Sequence, residues 1–315
     1  MTTSSGFSPW SRLRRAALIG MMLAGLPFAP ACRPHPSASA PLKVVFFTDV
    51  HARTEWDTPQ ALAKAARAIT AEHADLVICG GDMITDGFNA TPAQAAPRWD
   101  AYHAMHAAIR PPPVCAIGNH DLVGAEPADG SPPAADPRAE FRTRLGLDQI
   151  YRSFDFRGFH FILLDPFEVT GGDEPYRGFV GPEQMRWLHA DLARTPRDVP
   201  ILLVSHMPRL TVVYQLAQGL ATPVPANRGI LNNREVLAAF ANHRLLAVLQ
   251  GHLHVEELIR WRGTTFITGG AVCGQWWRGP WQGTPEGYGV LLLHPDRVEW
   301  EYHPYGWQAR RPAGR

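Results

Sequence analysis

Five short polar clusters in this sequence carry side chains that can bind metal ions, and each cluster directly follows an apolar run. Their carboxylates, imidazoles and single amide are ligands for borderline divalent metals such as Mn, Fe, Zn or Co. Seven such ligands exceed the need of one ion and suit two ions that share a carboxylate. The candidate ligands are Asp49, His51, Asp82, Asn119, His206, His252 and His254.

The apolar runs predict buried strands that bring these clusters to one edge of a sheet. Continuous apolar runs are typical of strands that are covered on both faces. The carboxyl ends of such strands converge where α/β proteins bind their ligands. The predicted strands contain the segments VVFF, LVIC, VCAI, FHFILL, ILLVS and LLAVLQ.

Helical apolar spacing alternates with these strands, which predicts an α/β fold of sheets covered by helices. Helices are predicted at 58–73, which begins with a Thr-Pro cap pair, and at 181–195 and 232–243. The segments 124–138 and 207–231 are predicted to be loops. The pattern after the last cluster predicts short strands in hairpins, as a mixed or antiparallel end to the sheets.

The first 31 residues have the composition of a secretory signal peptide. Three arginines precede an uncharged apolar run at 16–26, and a small-residue Ala-Pro-Ala segment follows it. The run is shorter than the roughly 20 residues that span a bilayer, although an N-terminal anchor helix is an alternative. The paired arginines resemble a twin-arginine signal. We therefore expect an exported protein, periplasmic or extracellular.

The rest of the chain is predicted to contain a linker at 32–42, one domain at 43–305 and a tail at 306–315. Cys32 follows the predicted cleavage point, so a lipid on this residue is a candidate membrane anchor of the mature protein. The residues before Cys32 depart from the usual lipoprotein sequence. Cys79 and Cys115 lie within apolar runs and are predicted to be buried thiols.

The charge balance argues against a nucleic-acid backbone as a partner. The chain has 30 basic and 29 acidic residues, and three of the basic ones lie in the predicted signal, so the remainder carries a net charge of about −2. No long basic stripe remains that would bind a phosphate backbone. The charge balance therefore favours a small molecule over a nucleic acid as the partner.

The five clusters, in this order, resemble the signature of calcineurin-like metallophosphoesterases. The motifs DVH, GDMITD, GNHD, SHMP and GHLH, between residues 49 and 254, correspond to D-x-H, G-D-x-x-D, G-N-H-D/E, H and G-H-x-H. The resemblance implies a four-layer α/β/β/α sandwich that hydrolyses phosphate esters with a metal-bridging hydroxide. Thr85 stands where purple acid phosphatases have a tyrosine ligand. The D-x-H form is more similar to the phosphodiesterase branch, which includes cyclic-nucleotide enzymes.

The same resemblance implies a role for each candidate residue. His120 would face the phosphate and either stabilise charge or protonate the leaving oxygen. Asp121 would orient His120, and Asp86 would hold its loop. One ion would be bound by Asp49, His51 and His254, and the other by Asn119, His206 and His252. The carboxylate that bridges both ions would be that of Asp82.

The sequence thus predicts a dimetal phosphoester hydrolase, with a phosphodiester favoured over a monoester. The alternatives are a broad phosphomonoesterase, a pyrophosphatase acting on nucleotide or lipid conjugates, and, from another class, a non-catalytic surface protein that keeps the metals. Substrate choice is expected to depend on loops at 124–150, 207–231 and 273–287. The last loop carries three tryptophans that either pack against the sheet, which is favoured, or stack on a substrate: Trp276, Trp277 and Trp281.

Overall fold

Residues 40–310, which the computed structural model describes, contain two large sheets and six α-helices. In chain order, the strands are β1 (Leu42–Phe47), β2 (Leu76–Cys79), β3 (Val114–Cys115), β4 (Arg152–Phe156), β5 (Phe159–Leu163), β6 (Phe167–Val169), β7 (Tyr176–Gly178), β8 (Pro200–Val204), β9 (Arg244–Gln250), β10 (Glu256–Trp261), β11 (Thr264–Gly269), β12 (Gly287–Leu293) and β13 (Val298–Pro304). The helices are α1 (Thr58–Ala71), α2 (Pro92–Ala108), α3 (Ala139–Leu145), α4 (Pro182–Arg194), α5 (Val213–Gln218) and α6 (Asn233–Ala239).

Both large sheets are mixed, and their parallel parts contain the predicted buried strands. The first sheet has the order β13-β12-β1-β2-β3 and the second has the order β10-β11-β9-β8-β5-β4, while β6 and β7 pair with each other. Strands β1, β2 and β3 are parallel in the first sheet, as are β5, β8, β9 and β11 in the second. Parallel strands present their carboxyl ends at one edge of each sheet, which is where the polar clusters lie.

Alternate residues of the central strands face two different cores, which explains their continuous apolar character. Phe46 of β1 and Leu202 of β8 lie in the core between the sheets. Their neighbours Phe47 and Leu203 lie in the core that includes the helices. Gly269 of β11 admits Phe46 from the other sheet, because a Cβ at this position would lie 2.5 Å from the ring. The predicted four-layer α/β/β/α sandwich is confirmed.

The three predicted helices are confirmed as α1, α4 and α6, but the longest helix, α2, escaped prediction. Its start has a capping box, in which Thr91 and Gln94 exchange side-chain and backbone hydrogen bonds, followed by proline at the first position. The helix is rich in alanine and contains Pro97, so its apolar spacing is weak. It buries only four side chains: Ala95, Trp99, Tyr102 and Met105.

The predicted hairpins after the last cluster are confirmed as β10–β11 and β12–β13. They belong to different sheets, because β11 pairs with β9 and β12 pairs with β1. Cys79 and Cys115 are buried free thiols, as predicted. Within residues 40–310 no helix is both long and apolar enough to cross a membrane. The predicted signal peptide and Cys32 lie outside the described residues, and the boundaries assigned to the domain stay predictions.

Candidate functional site

The five polar clusters meet where the parallel strands of both sheets end. Asp49 Oδ1 lies 3.2 Å from His254 Nε2 and 3.8 Å from His206 Nε2. Asp82 Oδ2 lies 3.1 Å from His206 Nε2 and 3.5 Å from His51 Nε2. All five side chains are buried. Clusters separated by up to 205 positions in the chain, from Asp49 to His254, therefore form one site.

The imidazoles and carboxylates of this site have the spacing of metal ligands. Asn119 lies beside them, 3% exposed, and its Oδ1 has no hydrogen-bond partner among residues 40–310. Potential ligand atoms of His51, Asp82 and His120 lie within 4.8 Å of one another. Two further groups of ligand atoms lie within 4.8 Å of one another: Asp82, His206 and His252, and His51, His254 and Cys273. This division resembles the two expected ligand sets, to which the structure adds the Cys273 thiol.

Hydrogen bonds on one side of three imidazoles leave the opposite nitrogen available for a metal ion. The Nδ1 atoms of His206 and His254 lie 2.9 and 2.6 Å from backbone carbonyl oxygens. His252 is turned the other way, with Nε2 2.9 Å from the carbonyl oxygen of Asn227. A carbonyl accepts a hydrogen bond, so the nitrogen facing it carries the proton. His206 and His254 can therefore bind a metal through Nε2. His252 leaves Nδ1 available for a metal, because its Nε2 lies between the carbonyl oxygen of Asn227 and Nη1 of Arg228.

The buried charges of the site favour a bound cation. Burial opposes the ionisation of Asp49, but His206 and His254 lower the pKa of its carboxyl to about 2. Burial also opposes the protonation of His206, but Asp82 and Asp49 raise its pKa to about 9. Within the protein alone, protonated imidazoles are needed to neutralise the two carboxylates. Divalent ions would supply this charge in exchange for the protons, so the residues fit a metal centre.

His120 faces the cluster, but the residue that contacts its outer nitrogen is Asp86. Nδ1 of His120 accepts the backbone N–H of Asp86 at 3.1 Å, and an Asp86 carboxylate oxygen lies 3.8 Å from it. The Asp121 carboxylate accepts the backbone N–H groups of Met83 and Gly118, each at 2.8 Å. The Asp121 carboxylate thus closes its own turn and joins the loops after β2 and β3. Its expected role in orienting His120 stays a prediction.

Several candidate ligands at the strand ends have a backbone conformation that is rare for residues other than glycine. Asp49, Asp82 and His252 have φ angles of 54°, 53° and 72°, in the left-handed region that non-glycine residues seldom adopt. Such residues concentrate at functional sites, where the surrounding structure holds them. Gly118 allows the chain to pass Asp82 closely, because a Cβ on Gly118 would lie 2.1 Å from Asp82 Oδ1. The glycine of the GNHD motif thus makes room for a candidate ligand.

A cleft of about 270 Å³ opens onto the cluster, and its wall carries residues outside the motifs. Nη1 of Arg228 lies 3.0 Å from His252 Nε2 and donates a hydrogen bond of 3.2 Å to the hydroxyl of Tyr176. Tyr214 of α5 also lines the cleft. No short motif surrounds Arg228 in the sequence, so only the fold reveals that the segment after β8 brings a guanidinium to the site.

The three tryptophans of the late loop divide between the core and the cleft. Trp277 is 2% exposed, and its Nε1 donates to the carbonyl oxygen of His51 at 2.9 Å. Trp276 is 39% exposed, and its ring centroid lies 4.5 Å from that of His254. Trp281 lines the cleft beside it. Trp277 packs in the core, which is the role that the sequence analysis favours for these tryptophans, whereas Trp276 and Trp281 can contact a ligand.

Sequence comparison agrees with this geometry. The model of the calcineurin-like phosphoesterase family matches residues 42–256, and the chain belongs to this family. A curated relative is a probable cyclic nucleotide phosphodiesterase of Rhodopseudomonas palustris. The two are 27% identical over 237 residues, which cover 71% of this chain and 76% of the relative. The prediction of a metal-dependent phosphoester hydrolase is confirmed.

Solved structures share the fold at lower identity. A dimetal phosphatase from Danio rerio has a TM-score of 0.63 and 16% identity, covering 85% of this chain and 97% of that protein. GAP50, the anchor in the inner membrane complex of Plasmodium, has a TM-score of 0.53 and 14% identity, covering 85% and 86%. One description names a phosphatase and the other an anchor. The fold alone therefore does not specify the activity, and the site residues must.

Proposed function

We propose that this protein hydrolyses phosphodiesters at a centre of two divalent metal ions. The observation that carries the proposal is the cluster of seven candidate ligands at the floor of an aromatic cleft, of which all but the partly exposed His252 are buried. The description of the Rhodopseudomonas palustris relative, a probable cyclic nucleotide phosphodiesterase, supports the same substrate class.

The ligand types suit Mn, Fe, Zn or Co. When bound, such ions supply positive charge that binds a phosphoryl group, and they lower the pKa of water. One ion would be held by Asp49, His51 and His254, and the other by Asn119, His206 and His252. Asp82 would contribute to both.

His120 and Arg228 are the groups of this chain that would act on the phosphate itself. Because Nδ1 of His120 accepts the N–H of Asp86, the neutral ring carries its proton on Nε2. That N–H can donate to negative charge that develops on the phosphate or on the leaving oxygen. The Arg228 guanidinium can bind a phosphate oxygen from the wall of the cleft.

The composition of the cleft favours a diester over a monoester. Among the described residues that line it, Arg228 is the only arginine or lysine, and Tyr176, Tyr214, Trp276 and Trp281 supply aromatic surface. A diester brings two organic groups that can contact the aromatic walls, and its single negative charge can be met by the ions at the floor together with Arg228. A monoester dianion carries more charge and only one organic group.

The test is the hydrolysis of bis(p-nitrophenyl) phosphate, p-nitrophenyl phosphate and pyrophosphate by metal-stripped protein to which Mn, Zn, Fe or Co is restored. We expect metal-dependent turnover with the diester favoured, and its loss in His120→Ala. Preference for the monoester would make the protein a phosphatase. Two bound metals without turnover of any ester would indicate a non-catalytic binding protein.

We also propose that the protein is exported, on the basis of the basic, apolar and small-residue segments that begin the chain. N-terminal peptide analysis of protein from cell fractions tests this. Cleavage near residue 31 in the exported fraction is expected, and the mass of the first peptide shows whether Cys32 carries a lipid. An N-terminus at Met1 in the cytoplasm would contradict export.

A further inference from the structure

A second pocket, of about 1020 Å³, lies between helix α6, the start of β9 and the turn of the β10–β11 hairpin. Its lining comes from residues 233–245, 261–266 and 296, together with Leu210. We call it the distal pocket, because it lies at the amino ends of β9 and β11, whereas the candidate metal ligands follow carboxyl ends. The seven residues of β9 separate these two ends by roughly 20 Å. The distal pocket shares no lining residue with the cleft at the metal site, so one small ligand cannot occupy both.

The buried part of this lining is apolar and belongs to the core. Phe240 and Phe266 are 4% and 1% exposed, and Leu237 and Leu245 pack against the same core. The hydroxyl of Thr264 donates to the carbonyl oxygen of Leu245 at 2.8 Å, which ties the hairpin to β9. The distal pocket is therefore preformed and can receive an apolar group.

An exposed indole and a guanidinium stand together at the hairpin side of the distal pocket. Trp261 is 50% exposed, and Cζ of Arg262 lies 4.7 Å from the centroid of its ring. Trp261 pairs with Thr264 at the end of the hairpin, so Arg262 and Gly263 alone form the turn. Both have positive φ angles, of 48° and 84°, as a tight two-residue hairpin turn requires. This turn fixes a cation beside a half-exposed aromatic ring.

The lining of the distal pocket carries an excess of positive charge. Its described residues include three arginines, Arg234, Arg244 and Arg262, and one acidic residue, Asp296. The Asp296 carboxylate lies 3.4 Å from Nη1 of Arg297, which is outside the lining. In the described part of the chain none of the three lining arginines forms an ion pair, and the guanidinium nitrogens of Arg244 are accessible. Positive charge is therefore available for an anionic ligand.

We propose that the distal pocket binds an organic anion with an aromatic or alkyl body, such as an aryl sulfonate or a medium-chain carboxylate. The anionic group would pair with the guanidinium groups of Arg262 and Arg244. The organic body would lie between the indole of Trp261 and the apolar lining. Pockets for organic ligands measure about 300–1,000 Å³, so an inorganic ion would leave most of this volume to water. No candidate metal ligand takes part in this binding.

Fluorescence titration of the metal-loaded protein with 8-anilinonaphthalene-1-sulfonate tests the proposal, because this probe combines aromatic rings with one sulfonate and reports apolar surroundings. We expect saturable binding to wild type. Arg262→Asn, a residue that suits the turn, should weaken binding about 10–100-fold, because a hydrogen bond to a charged group is lost. Trp261→Ala should weaken it about three- to tenfold. Arg260→Met, which removes an exposed arginine of β10 outside the lining, should bind as wild type does. Equal affinity in all four proteins would overturn the proposal.

N-phenyl-1-naphthylamine, which has similar rings without the sulfonate, separates the contribution of charge from that of the apolar body. Wild type should bind this neutral probe at least about tenfold more weakly than the sulfonate. Arg262→Asn should bind the neutral probe as wild type does. Equal or tighter binding of the neutral probe to wild type would show that the pocket does not select an anion.

Crystals of the wild-type protein soaked in 4-bromobenzenesulfonate provide a further test that needs no variant. The anomalous signal of bromine should appear between α6 and the β10–β11 hairpin, with the sulfonate within hydrogen-bond distance of Arg262 or Arg244. Bromine at the metal site or elsewhere on the surface alone would overturn the assignment, even if a variant does not fold.

Discussion

The floor and the wall of the cleft differ in how the fold positions them. The floor consists of the seven candidate metal ligands, which follow strand ends and are buried or nearly so. Hydrogen bonds to backbone carbonyl oxygens fix three of its imidazoles. The wall consists of Tyr176, Tyr214, Arg228, Trp276 and Trp281. Tyr176 begins the short strand β7 and is buried, and Tyr214 lies in the short helix α5. The other three lie on connections, and all but Tyr176 are at least partly exposed.

This difference indicates that the floor determines the catalytic chemistry and the wall determines which substrate is preferred. The floor depends on strand ends of both sheets, so its geometry is as rigid as the cores that hold the sheets together. The wall depends on connections that tolerate change, and binding specificity commonly lies in such segments. A change in the floor should therefore abolish turnover of every ester, whereas a change in the wall should alter the ranking of esters.

The largest effect is expected from Gly118→Ala, which disturbs the floor without removing a ligand. The new Cβ would lie 2.1 Å from Asp82 Oδ1 and 2.2 Å from the Asp82 backbone nitrogen, so the carboxylate must move. We expect metal affinity to fall by about 10–100-fold or more, and turnover of all esters to fall with it. Elemental analysis and rate measurements check both.

Gly181→Ala is the matched control for this change. A Cβ at Gly181 meets no atom within 4 Å, and its φ of −64° suits alanine. This variant should keep its metals and its activity. Full metal content and activity in Gly118→Ala would show that the close approach to Asp82 does not matter.

An intermediate effect is expected from Arg228→Met in the wall. A hydrogen bond to a charged group contributes about 1.5–3 kcal/mol, so kcat/KM for the diester should fall roughly 10–100-fold. Metal content should not change, because Arg228 is not among the candidate ligands. Arg234→Met controls for loss of positive charge. Unchanged kinetics, or loss of metal instead, would remove Arg228 from the substrate-binding wall.

The smallest effect on turnover is expected from Trp276→Ala, compared with Trp277→Ala. Removing the exposed ring should raise KM for an aromatic diester about three- to tenfold, the range that aromatic pairs contribute, and leave Tm nearly unchanged. Removing the buried Trp277 should destabilise the fold by about 3–5 kcal/mol. If Trp276→Ala lowers Tm and leaves KM unchanged, its ring serves packing and not the substrate.

The sequence predicts the floor far better than the wall, and the reason is physical. Each floor residue follows an apolar run that identifies its strand, so strand and ligand are recognised together. The contact between Asp86 and His120 depends on the path of two turns, which spacing alone does not determine. Arg228 lies on a segment without periodicity, and its environment depends on packing between distant parts of the chain. Helix α2 was missed because its few buried side chains give a weak pattern.

The dimetal centre is tested most directly by the rate of bis(p-nitrophenyl) phosphate hydrolysis as metal is returned to the stripped protein, with bound metal counted by elemental analysis. We expect two metal ions per chain and full turnover only when both are bound. Full turnover with one ion, or turnover by protein without metal, would contradict a dimetal phosphodiesterase.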